Sequence, residues 1–114
     1  MKVIIAGGRN ITDFNLLEQV IKKSDFDITE VVSGGASGID SLGETWAISN
    51  NIFVRRFPAD WDKYGKSAGP IRNRQMAEYA NALILIWDGK SRGSASMLRL
   101  AKEAKLIIYG HIIE

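Results

Sequence analysis

The chain has 114 residues, 46% of them apolar and 25% charged, the make-up of one folded domain around a single core. A formal net charge of +2, with the cations scattered, is not the clustered basic face of a dedicated nucleic-acid binder, so no nucleic-acid partner is expected. The absence of cysteine excludes disulfides and thiolate metal sites. The apolar run "VIIA" is too short for a signal-peptide core and no segment reaches spanning length, which predicts a cytoplasmic protein with no membrane contact.

In chain order, Lys2–Ala6 is a β-branched run that reads as a buried strand and ends in Gly7 and Gly8. Thr12 or Asp13 caps a helix carrying Phe14, Leu17, Val20 and Ile21 at helical spacing. Glu30–Ser33 is the second strand and runs into "GGASGID"; a helix follows through "IDSLGETWAIS". Ile52–Phe57 is the third strand, and Pro58 opens an irregular segment, "PADWDKYGKSAG". Pro70 suits the first turn of a helix that runs to about Ala80. Ala82–Asp88 is the most apolar strand; a helix from about Ser94 to Ala104 and a last strand, "KLIIYGHII", complete the chain. Strands alternating with helices predict an α/β fold: a three-layer Rossmann-like domain with four helices on a five-stranded, mostly parallel sheet in the order 3-2-1-4-5.

Eleven glycines against two prolines is the first departure from average composition. Gly7, Gly8, Gly34, Gly35, Gly38, Gly89 and Gly93 directly follow the first, second and fourth strands. In a parallel sheet those turns share the carboxyl edge, where ligands bind at the switch point between strands 1 and 4. Glycine doublets there turn main-chain N–H groups and helix N-termini toward an open space, an anion site built mostly of backbone.

The side chains around these turns divide by chemistry. Arg9 is a phosphate contact or a solvated cation, and Ser33 and Ser37 bond a phosphate or close their turn. Asp40 holds a ribose hydroxyl or favours its own helix dipole. Arg72 and Asn73, in the first turn after Pro70, are more informative. A cation there opposes the helix dipole by about 0.3–1 kcal/mol, a cost that a bound anion offsets; an ion pair with Asp60 or Asp62 is the alternative. Trp61 and Tyr64 stack on a base or anchor their loop, and Lys66 contacts phosphate or solvent. Asp88, Lys90, Ser91, Arg92 and Ser94 complete the loop "WDGKSRGSASM", whose Met97 is in register with Leu100, Ala101 and Ala104 and packs on the sheet. His111 has no partner spacing for metal or catalysis; neither a metal nor a cofactor is expected.

"GGR" after the first strand, "SGGASGID", "PADWDKYGKSAGPIRNRQM" and "WDGKSRG", in that order, resemble the YspA-type, cpYpsA-related branch of the SLOG superfamily. That superfamily also contains the LOG phosphoribohydrolases and the DprA/Smf DNA-processing proteins. The resemblance implies a Rossmann-like domain that binds nucleotides or nucleotide-derived ligands at its glycine-rich edge, as a homodimer or larger homo-oligomer. It also implies a role as sensor or effector in bacterial or phage conflict. The LOG enzymes carry G-G-x-G-T-x-x-E; on this chain Gly93-Ser94-Ala95-Ser96-Met97 matches the second half and the glutamate falls on Met97. Arg72 and Met76 match an arginine and methionine of the enzymes' other motif. A thioether moves no proton. The expectation is therefore a binding module for a nucleotide or nucleotide-derived signal, acting as sensor or sequestering protein. A phosphoribohydrolase with its acid relocated to Asp40, Asp60 or Asp88 and a DprA-like single-stranded DNA binder are the alternatives.

Overall fold

A computed structural model describes residues 1–113. Five strands, β1 (Lys2–Gly7), β2 (Glu30–Ser33), β3 (Phe53–Arg56), β4 (Ala82–Trp87) and β5 (Ile107–Ile112), form one sheet in the order β3-β2-β1-β4-β5. Every pairing is parallel, so all five carboxyl ends lie along one rim. The Rossmann-like α/β architecture and the strand order are those read from the sequence.

The alternation of side chains along the central strands builds two cores. Val3 and Ile5 of β1 and Ala82, Ile84 and Ile86 of β4 face helices α1 (Phe14–Ser24) and α2 (Ile39–Ser49). Ile4, Ala6, Leu83 and Leu85 point the other way, against α4 (Ala68–Tyr79) and α5 (Arg92–Glu103), where Met76, Met97 and Leu100 meet them. β1 and β4 are thus apolar on both faces, as central parallel strands must be. α1 starts where expected: the Asp13 carboxylate accepts from the Leu16 N–H at 3.0 Å.

Two glycines fix how closely the layers approach. A Cβ on Gly43 of α2 would come within 2.8 Å of Ile5 Cγ2, so this helix lies directly on β1. A Cβ on Gly7 would collide with the carbonyl oxygen of Ile86 in the neighbouring strand.

The segment after β3 is more ordered than its composition suggests. Rather than an irregular loop, it forms a short helix, α3 (Trp61–Tyr64), and a 3-10 turn (Gly65–Ser67) that leads straight into α4. The Asp60 side chain caps α3 by accepting from the Lys63 N–H at 3.1 Å. α4 begins at Ala68, so Pro70 is its third residue, where a backbone N–H has no partner inside the helix and its loss costs little. Arg72 consequently lies in the second turn of α4, beyond the region where the helix dipole acts strongly on it. No described helix is long and apolar enough to cross a membrane.

Gly7→Ala should destabilise the fold by roughly 2–3 kcal/mol, because the added methyl meets backbone that cannot swing aside. Chemical denaturation checks this; a loss below about 0.5 kcal/mol would mean that β1 and β4 tolerate wider spacing at this point.

Candidate functional site

Beyond the carboxyl ends of β1 and β4, the turns that follow them enclose a cavity of about 600 Å³. Gly7, Gly8, Arg9, Asn10 and Ile11 form one wall, and Asp88, Ser91, Gly93 and Ser94 another. Ala36 and Asp40 enter from the turn after β2 and the start of α2, Arg72, Asn73 and Met76 from α4, and Met97 and Ile113 add apolar surface. Met97 serves two purposes, since it is buried in the core against α4 and also lines the cavity. The N-terminus of α5 opens at this cavity through Ser91, Gly93 and Ser94.

Arg72 is the most constrained cation of the site. Its Nη1 donates to the Gly34 carbonyl at 2.7 Å and its Nε to Asn73 Oδ1 at 2.9 Å. Among the described residues it is in no ion pair, with Asp60, Asp62 or any other acid. Nη2 therefore has no hydrogen-bond partner among them. Burial pulls its pKa down, with Asp40 opposing and Arg9 adding to the fall, yet a guanidinium stays charged throughout. Asn73 is buried, and its amide reaches the Gly93 carbonyl at 3.5 Å, tying α4 to the first turn of α5.

Asp40 is buried at the foot of the same cavity, accepting one N–H, from Ala36, at 3.3 Å. Burial raises its pKa to about 6, against the pull of the Ala36 N–H and of Arg72. Asp88 is the opposite case. Its Oδ1 accepts from the N–H groups of Lys90 at 2.8 Å and Ser91 at 2.9 Å, and these bonds hold its carboxyl below the usual range. It shapes the loop rather than storing a proton.

The turn after β2 lies just behind the cavity. Ser33 is fully buried and Gly34 is covered by Arg72: a Cβ there would sit 2.5 Å from Nη1 and 2.9 Å from Asp40 Oδ2. Gly35 adopts φ 74° under the side chain of Arg56. Gly38, at φ 76° and ψ −130°, has a conformation that glycine alone adopts freely, and its Cα faces the Gly8 carbonyl and Arg9. Ser37 donates to the Arg9 carbonyl at 3.4 Å, so the turns after β1 and β2 are stitched together.

The remaining expected site residues stand outside the cavity. Trp61 and Tyr64 are half-exposed on α3, and Trp61 lies over Gly69 rather than over the cavity. Lys66 is exposed in the 3-10 turn. Gly89 turns the chain at φ 79° beside Ile112, and Lys90 and Arg92 point to solvent. Arg74 is exposed on α4, away from the cavity. Glu44, which escaped the sequence reading, binds both Ser33 and Arg56 beneath the turn after β2. Its signal was its place four residues after Asp40, on the same face of α2. Among the described residues no cluster of three or more His, Cys, Asp or Glu side chains is placed to hold a metal ion.

Residues 1–64, more than half of the chain, match the YspA, cpYpsA-related SLOG family. The chain is also 30% identical over 113 residues to the Gene 61 protein of Mycobacterium phage D29, with 90% of each chain covered. It belongs to the YspA, cpYpsA-related SLOG family. The matched stretch runs from β1 through α3, hence includes the glycine turns after β1 and β2 and Asp40, while Arg72, the turn with Gly89 and Gly93, and α5 lie beyond it. The X-ray structure of DNA processing protein A (DprA) from Streptococcus pneumoniae superposes with a TM-score of 0.75 over 96% of this chain at 22% identity, a likeness of fold. The chain spans about half, 49%, of the length of that protein.

Asp40 makes stability depend on pH with a definite sign. Because its folded pKa lies above its ordinary value of 3.8, the folded state holds the proton more tightly, and stability falls as pH rises from about 4 to about 6. At about 1.4 kcal/mol per pH unit, the cost levels off near 3 kcal/mol above that window. Asp40→Asn should remove this slope and be the more stable form at pH 7.5. Arg72→Ala should push the Asp40 titration, followed by NMR, still higher. A wild type with no slope between pH 4 and 6 would place Asp40 in solvent.

Proposed function

We propose that the cavity between β1 and β4 binds a nucleotide or nucleotide-derived ligand, which the protein holds without cleaving. The observation that carries this reading is Arg72. A guanidinium taken partly out of water, fixed at two of its nitrogens by Gly34 and Asn73 and left with a third free, is prepared for an anion. The start of α5, at Gly93 and Ser94, supplies converging N–H groups for the same phosphate. Asp40 is the acceptor for a sugar hydroxyl. Ile11, Met97 and Ile113 offer apolar surface to a base, a role that the position of Trp61 and Tyr64 makes harder for them to fill. The size of the cavity suits one such molecule. Membership in the SLOG family and the DprA-like fold support a nucleotide-related role in general. A sensor or a sequestering protein, acting as a homo-oligomer in bacterial or phage conflict, is the setting we propose; the related phage protein agrees with it.

Asp40 favours one second reading. A buried carboxyl titrating at about 6 inside the cavity has the property of a general acid at neutral pH, and a phosphoribohydrolase with its acid at this position is the alternative. Asp88 and Asp60 do not fit that role, since each is committed to backbone N–H groups.

The purified protein, incubated with a mixture of nucleoside 5′-monophosphates, should retain one molecule per cavity in native mass spectrometry, and chromatography should return it intact. Arg72→Ala should weaken retention by about tenfold or more, with a far smaller effect on unfolding. Release of free base, abolished by Asp40→Asn, would replace the binding reading with the hydrolytic one. A result with neither retention of a nucleotide nor release of free base would overturn both.

A further inference from the structure

The turn after β2 is held from below by side chains that never reach the cavity. Ser33 Oγ donates to Glu44 Oε2 at 2.6 Å and accepts the Gly35 N–H at 3.1 Å. Glu44 in turn takes two hydrogen bonds from Arg56, through Nε at 3.1 Å and through Nη2. Burial pushes the Glu44 carboxyl up, but the bonds from Arg56 and Ser33 outweigh it and hold the group ionised below its usual range. The aliphatic part of Arg56 lies across Gly35, and a Cβ there would stand 3.2 Å from Arg56 Cδ. Ser33 is wholly buried, so its hydroxyl must find partners within the protein.

The N–H of Gly35 and the carbonyl of Gly34 belong to one peptide unit. That unit is planar, and in the trans form its N–H and C=O point in opposite directions. Ser33 holds the N–H on one side, and Arg72 Nη1 takes the C=O on the other at 2.7 Å. Rotating the peptide plane to break one bond necessarily misaligns the other. We propose that Glu44 is a positioning residue: through Ser33 and the Gly34–Gly35 peptide plane it sets where Arg72 stands in the cavity, although Glu44 itself does not line it. The geometry stands by itself, while the consequence for affinity rests on the ligand-binding reading of the cavity. Support of this kind, from residues one step removed from the contact, holds a binding group to its productive geometry.

The test compares the full-length wild type with Ser33→Ala, Glu44→Gln and Glu44→Leu. Glutamine keeps an acceptor for one of the two partners, and leucine keeps none. Ser33→Ala changes no charge, so it disturbs Asp40 only by moving the turn. The Gly35 amide should exchange with solvent roughly three- to tenfold faster in Ser33→Ala and faster still in Glu44→Leu, while amides of β1 and β4 keep their wild-type order. In Ser33→Ala the Asp40 titration should also move upward, as Arg72 retreats and the Ala36 N–H loosens. Binding of AMP, the probe, should weaken in the order Glu44→Gln, then Glu44→Leu. The Ser33→Ala, Glu44→Gln double variant should lose less than the sum of the two single losses.

Should Glu44→Leu not fold, Ser33→Ala and Glu44→Gln decide the matter alone. An unchanged Gly35 exchange rate and an unmoved Asp40 titration in Ser33→Ala would overturn the proposal. Faster exchange with a moved titration, in a protein whose wild type does not bind AMP or any other nucleotide, would uphold the positioning and sink the ligand reading instead.

Discussion

Two guanidinium groups cross the same glycine turn, each toward a carboxylate of α2. Arg72 passes over Gly34 beside Asp40, and Arg56 passes over Gly35 onto Glu44. Asp40 and Glu44 are one helical turn apart and on one face, so the two crossings are spaced as the helix spaces its acids. The turn between them has no room for side chains, because any Cβ on Gly34 would displace Arg72 or Asp40. This constraint orders the rim. The turn after β2, α2 and α4 cannot shift independently while both arginines stay in place, and the cavity wall they form with β1 and α5 is correspondingly defined.

The two pairs nevertheless do different work. Glu44 and Arg56 make direct hydrogen bonds, and Arg56 is largely exposed, so the pair acts mainly by geometry and its net contribution to stability is small. Asp40 and Arg72 do not close into an ion pair. Each is turned instead toward a neighbouring backbone group: Asp40 takes the Ala36 N–H and Arg72 serves the Gly34 carbonyl. A buried acid and a half-buried base left adjacent but uncombined is a costly arrangement, and a collapsed salt bridge would be the simpler way to satisfy both. That expense is understandable where a third group, supplied from outside, completes them. The elevated pKa of Asp40 and the depressed pKa of Arg72 are two faces of the same incompleteness.

The strands were legible because β1 and β4 are apolar on both faces and lead into glycine-containing turns, a pattern that few alternatives share. From that pattern followed the parallel sheet and, with it, the rim on which Gly7, Gly34 and Gly93 converge. The segment from Pro58 to Gly69 was not legible in the same way. Its two aspartates and scattered aromatics lack helical periodicity, and what orders it is a local cap from Asp60 and continuity with α4. Starting the helix near Pro70 rather than at Ala68 put Arg72 in its first turn, two residues too early. The residue was still singled out, although the reason for its importance is burial beside Gly34 rather than opposition to the helix dipole. Glu44 was missed because its partners, Ser33 and Arg56, are 11 and 12 residues away on two different strands, and only the folded sheet brings them together.

Met97 stands where the core meets the cavity. Its position in α5 is the one that, in the resemblance to the LOG enzymes, belongs to a glutamate. Here a thioether both fills the core against Met76 and Leu100 and faces the cavity. A carboxylate at that place would lie among apolar side chains, where a buried negative charge is disfavoured. With methionine there, Asp40 is the buried acid of the cavity, beside Arg72, while the Asp88 carboxyl on another wall is held by backbone N–H groups. The cavity thus sets Asp40 and Arg72 against a surface that Met97 makes apolar, the combination on which the proposed binding of a ligand relies.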